Sequence, residues 1–153
     1  MKRAYSLGMI ALLLLGTLLF AGCSSYEGRP AGPKVAGQKS IFILSNQNDN
    51  NFLAEQIVSA LKLRGYESSC GPLTMMPDDT QVLITYEDHW TWDFGDHLAY
   101  LQITARDRRT NQGYGNAVFR AKIPTKKSIP KIIGELLDRI LADAKSAKDA
   151  KGG

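Results

Sequence analysis

The chain has 153 residues, enough for one small domain with appendages and too few for two ordinary cores. Its 19 basic side chains face 15 acidic ones, a formal charge of +4. That balance is too even to mark a nucleic-acid-binding surface, so no nucleic-acid partner is expected.

Lys2 and Arg3 are followed by an almost unbroken apolar run from Leu7 to Phe20, and no further charge occurs until Glu27. A basic start and a short apolar stretch have the layout of a signal peptide over residues 1–22. The run falls short of the ~20 apolar residues that a membrane-crossing helix needs. It ends in "LFAGC", Leu19 to Cys23.

This ending resembles the lipobox of bacterial lipoproteins, in which a small-residue pair precedes a cysteine that is acylated and becomes the mature N-terminus. Phe20 departs from the leucine usual at its position. The resemblance implies lipidation at Cys23 and a membrane partner reached through that lipid, stable because more than one acyl chain is carried. In the family an aspartate after the cysteine retains proteins in the inner membrane. Ser24 stands there, which implies the outer membrane, with the domain in the periplasm.

Of the 19 basic side chains, Lys2 and Arg3 leave with the signal peptide, so 17 face 15 acids in the mature chain. Lipidation of Cys23 leaves Cys70 alone in an oxidising compartment. It reads as a small, partly buried side chain beside the turn "CGP", the sharper alternative being a reactive or intermolecularly paired thiol.

From Ser24 to Gln38 the sequence is rich in Gly, Pro and Ser without apolar period, and residues 23–38 read as a lipidated N-terminus and flexible tether. A tether of that length spans at most ~50 Å. The domain itself is expected over residues 39–143.

Ser40 to Leu44, "SIFIL", reads as a strand, and the Asn- and Asp-rich stretch after it as a loop able to cap a helix. A helix follows from Asn51 to Arg64, with Leu53, Ile57, Ala60 and Leu61 on one face and Gly65 as its stop. "ESSCGPLTMMPDD" is expected to be a loop. Three strands come next, Gln81 to Trp92, His97 to Arg108 and Tyr114 to Ile123, separated by turn-forming "WDFGD" and "RRTNQG".

Alternation puts Val82, Ile84, Tyr86, Trp90 and Trp92 on one face, Ala99, Leu101, Ile103 and Ala105 with them, and Ala117, Phe119, Ala121 and Ile123 beside those. Keeping the sets together pairs Ile84 with Ile103 and Tyr86 with Leu101. The other face, including Glu87, His89, Tyr100, Gln102, Thr104 and Arg120, reads as solvated.

Ile129, Ile132, Ile133, Leu136, Leu137, Ile140 and Leu141 form a wide helical stripe, with Ser128 as N-cap and Pro130 in the first turn. Residues 144–153 lose that stripe and read as a disordered tail.

The fold expected is a two-layer α+β domain of order β-α-β-β-β-α, one mainly antiparallel sheet with both helices on one face. This element order resembles that of small envelope lipoproteins, among them the lipopolysaccharide-assembly lipoprotein LptE, without a shared motif.

Tyr86 to His97 holds both tryptophans and both histidines with Glu87, Asp88, Asp93 and Asp96. The expected register places Trp90 near His97 and sends His89 to the opposite face. A split histidine pair without a second nearby cysteine does not supply the four converging ligands of a zinc site, although a bulge would bring the two together. Asp93 and Asp96 flank a turn, where carboxylates are solvated. The sequence shows no phosphate loop, nucleophile elbow or helical HExxH, and no cofactor is expected.

The function expected is a non-catalytic protein-interaction or assembly module of the cell envelope. Trp92 and Phe94 are its candidate contact with another envelope protein, since aromatic side chains concentrate binding energy. A lipid or glycan carrier and a metal-dependent enzyme using His89 or His97 are the alternatives.

Overall fold

The computed structural model describes residues 24–29, 35, 38, 40–92, 95–123, 125 and 127–141. Strands β1 (Ser24–Arg29), β2 (Ser40–Leu44), β3 (Glu67–Gly71), β4 (Val82–Trp92), β5 (Asp96–Asp107) and β6 (Gly113–Ala121) are accompanied by helices α1 (Leu53–Lys62) and α2 (Ile129–Leu141). The strands form one sheet in the order β1-β6-β5-β4-β2-β3. β2 runs parallel to β3 and β4, and the remaining pairs are antiparallel, so the fold is α+β with a mixed, mostly antiparallel sheet.

β2 forms where Ile41 and Ile43 alternate toward the core. Phe42, between them, is buried on its own, and a side chain grown at Gly71 would meet both Phe42 and Met75. The chain leaving β3 thus passes close to Phe42. Asp49 caps α1 from outside the helix, its carboxylate accepting from the N–H groups of Leu53 and Ala54, both at 2.9 Å. These are two of the donors that a helix start leaves unpaired. Gly65 adopts φ 85°, and beyond it the Tyr66 N–H returns to the Leu61 carbonyl, closing the C-terminus. α2 starts on the carbonyl of Ser128, which accepts from Lys131 and Ile132.

The α1 residues Leu53, Ile57 and Leu61 and the α2 residues Ile132, Ile133, Leu136, Leu137 and Ile140 join one core cluster with Ile84, Leu101, Ile103 and Phe119 of the sheet. The helices also meet at their surface. Arg64 donates from Nε and Nη2 to Asp138 Oδ1 at 2.9 and 2.6 Å, and from Nη2 to the Gly134 carbonyl.

Several expectations are corrected. Ser24 to Arg29, expected within the tether, form edge strand β1 against β6, and Val35 from the same segment is buried in the core. Tyr26 is the anchor of β1: its ring lies 5.2 Å from that of Phe119 and 4.6 Å beneath the Lys127 ammonium. Glu67 to Gly71, expected in a loop, form β3, so the observed element order is β-β-α-β-β-β-β-α. The expected pairing is two residues out, for Ile84 faces Ala105 and Tyr86 faces Ile103. A shift of two keeps every side chain on its face, which is why the core set survives it.

The signal peptide at 1–22, Cys23, Phe94 and the tail at 144–153 lie outside the described residues.

Candidate functional site

β1 starts, β6 ends, β5 starts and β4 ends at the same end of the sheet. The register requires this: Ser24 pairs with Ala121, Arg120 with Tyr100, and Trp92 with Asp96. The sequence-derived contact residue Trp92 and the chain position that follows Cys23 are therefore brought to one end of the molecule. Trp92 is 76% exposed, and Ile123, just past β6, is 54% exposed.

A bulge shapes this end. His89 faces Tyr100 but Trp90 faces Leu98, so Ala99 is an extra residue without a partner in β4. One extra residue shifts the alternation of β5, and Leu98 enters the core where Ala99 was expected. The bulge also undoes the expected proximity of Trp90 and His97: Trp90 sits opposite Leu98, and His97 opposite Thr91. His89 is exposed, as the alternation required.

Trp90 packs partly buried against the core and donates from Nε1 to Asp88 Oδ2 at 2.7 Å. Trp92, expected on the same face, projects into solvent beyond the last core contact. Thr91, His97, Leu98, Ala99, Ala121, Lys122 and Ile123 line a cleft of about 240 Å³ beside it. No carboxylate is among these residues, and Lys122 brings a cation. The pattern of the sequence does not mark this cleft, because its lining comes from three strands and includes the residues at a bulge.

The other sequence-derived candidates fall elsewhere. Tyr86 is buried, and its hydroxyl donates to Asp49 Oδ2 at 2.7 Å while accepting from the Asn46 N–H. Burial first, and the Asp49 carboxylate second, push the Tyr86 hydroxyl well above its ordinary pKa. Burial alone would raise Asp49, but the N–H groups of Leu53, Ala54 and Asn51 and the Tyr86 hydroxyl together hold its carboxyl below the usual value. The pair is a structural tie. Cys70 is half-buried against the core, and burial pushes its thiol up.

On the opposite face Tyr100, Gln102 and Thr104 form a hydrogen-bonded row along β5, with the Arg120 guanidinium 4.9 Å over the Tyr100 ring. Among the described residues, no group of three or more His, Cys, Asp and Glu side chains is arranged to hold a metal, and no helix is long and apolar enough to cross a membrane.

No family model and no curated protein matches the chain. Among solved structures it is similar to PelC from Paraburkholderia phytofirmans, a dodecamer seen in two crystal forms. A single-substitution variant of PelC aligns with TM-score 0.59 and 11% identity, over 78% of this chain and 99% of that one. The second form aligns with TM-score 0.57 and 10% identity, over 77% and 94%. At such identities the likeness establishes the fold alone.

Proposed function

We propose that this chain is an outer-membrane-anchored periplasmic lipoprotein that acts as a non-catalytic interaction or assembly module of the cell envelope. Its layers are a sheet with both helices on one face. The observation that carries this reading is the pairing of Ser24 with Ala121 at the sheet end that exposes Trp92. If Cys23 is acylated, the anchor and the exposed aromatic side chain share one end of the domain, and Trp92 meets its partner near the membrane plane. Tryptophan suits that position, with an apolar ring and a polar N–H. The lipobox-like "LFAGC" and the Ser24 that follows support the anchor and the outer membrane. That the fold neighbour PelC is a dodecamer supports self-assembly as one form the interaction takes.

The test is photo-crosslinking from position 92 of the full-length protein in native membranes, followed by mass spectrometry. One dominant envelope protein, or a second copy of this chain, is the expected adduct. A blank above background would remove Trp92 from the interface. So would a Trp92→Ala, Phe94→Ala double variant that keeps every association of the parent.

A further inference from the structure

We propose that the cleft at this sheet end is an acyl-chain site, filled by a fatty chain that Cys23 of the same molecule carries. The inference rests on the lipoprotein reading above and adds to it where the lipid goes.

Position is the first argument. Ala121 lines the cleft and is the backbone partner of Ser24. Cys23 immediately precedes Ser24, and paired strands lie ~4.8 Å apart. Ser24, the residue that follows Cys23, therefore lies about one strand spacing from the cleft wall.

Chemistry is the second. Leu98, Ala99, Ala121 and Ile123 supply a hydrocarbon surface beside Thr91 and His97, and among the described residues no acidic side chain lines the cleft. Lys122, also in the lining, is a donor that ester carbonyls at the head of an acyl chain would accept from. The bulge at Ala99 places Leu98 and Ala99 in succession along one wall. At about 240 Å³ the cleft is smaller than the ~300 Å³ at which small-molecule pockets begin. It takes part of one chain and not a whole lipid.

Tethering is the third. A chain attached beside the cleft competes at the millimolar effective concentration of a short linkage, which favours it over a free lipid. One chain held by the domain and the others in the membrane would press this end against the bilayer and fix its orientation.

The test uses the full-length protein in native membranes with a benzophenone side chain in place of Ile123, an exposed position outside the core cluster. After irradiation and proteolysis, the expected product joins the peptide containing residue 123 to the acylated Cys23 peptide. Ala99→Gln, which fills the cleft from the bulge, should lower that product about tenfold, the effect of losing roughly two methylene contacts. Adducts only with phospholipid, no adduct above background, or a yield unchanged by Ala99→Gln would each overturn the proposal while acylation of Cys23 stands in the intact mass. An intact mass without acyl chains would overturn the lipoprotein reading itself, and the proposal with it.

Discussion

The Tyr86 hydroxyl donates a 2.7 Å hydrogen bond to the Asp49 carboxylate, joining the middle of β4 to the start of α1 across 37 residues of sequence. The same carboxylate caps the helix, so one side chain ties the start of α1 to the sheet. Asp49→Ala should cost about 2 kcal/mol, the upper end of the cap range, because Tyr86 loses its acceptor as well. Tyr86→Phe, which keeps the ring, should cost about 1 kcal/mol. Urea unfolding at neutral pH measures both. Equal costs would mean that the capping bonds contribute nothing beyond the tyrosine contact.

Acid stability carries the sign of the same pair. The folded Asp49 carboxyl titrates below its ordinary 3.8, so its contribution is complete above that value and is lost as pH falls through the lower folded one. Asp49→Asn should flatten the acid limb of the stability profile over that interval. The folded Tyr86 titrates above its ordinary 10.0, so stability should also fall as pH rises past that value, and Tyr86→Phe should remove this loss. Profiles that run parallel to the parent's in both limbs would refute the assignment.

β1 depends on few side chains. Tyr26 is its partly buried contact with the core cluster, and Gly28 lies so near β6 that an added Cβ would stand 2.6 Å from the Asn116 carbonyl. Tyr26→Ala should cost about 2 kcal/mol, less than a fully buried aromatic. Gly28→Val should likewise break the pairing. Amide hydrogen exchange should show residues 24–29 losing protection in both variants while β4 and β5 keep theirs. Protection lost evenly across the sheet would show that β1 is not a separable unit.

The two sides of the bulge should respond differently. Leu98→Ala removes a core side chain and should cost about 3 kcal/mol. Trp92→Ala, on the exposed side, should change stability by no more than ~0.5 kcal/mol. Thermal unfolding of the two variants decides. A large loss from Trp92→Ala would place that ring in the fold and take it away from any partner.

Arg64 and Asp138 should not be equal halves of their ion pair. Arg64 also donates to the carbonyls of Ala60 and Gly134, whereas Asp138 is two-thirds exposed. Arg64→Ala should cost about 1–2 kcal/mol and Asp138→Ala no more than ~0.5 kcal/mol, as measured by urea unfolding. Reversed costs would mean that the carbonyl contacts do not hold the two helices.

What the sequence by itself determined is whatever periodic burial encodes. The stripe from Ile132 to Ile140 and the alternation of Val82, Ile84 and Tyr86 each face the core because a helix or a strand exposes one side per period. Gly65 and the Asn- and Asp-rich loop were legible for the same local reason, since capping and αL geometry involve near neighbours. Trp92 was legible as a contact residue at a turn, although alternation also set it on the core face, and its exposure follows from where the core alternation ends. The tertiary structure decided the rest. β1 and β3 are edge strands of mostly small and polar residues, and their backbone N–H and C=O groups are recruited by neighbours already in place, so no hydrophobic period announces them. Two bulges, at Ala99 and at Tyr114, exchange which side chains face inward, and the register moves by two without penalty because strand period is also two. The meeting of Ser24, Trp92 and the cleft at one sheet end follows from strand order and direction, a long-range choice that no local pattern of residues contains.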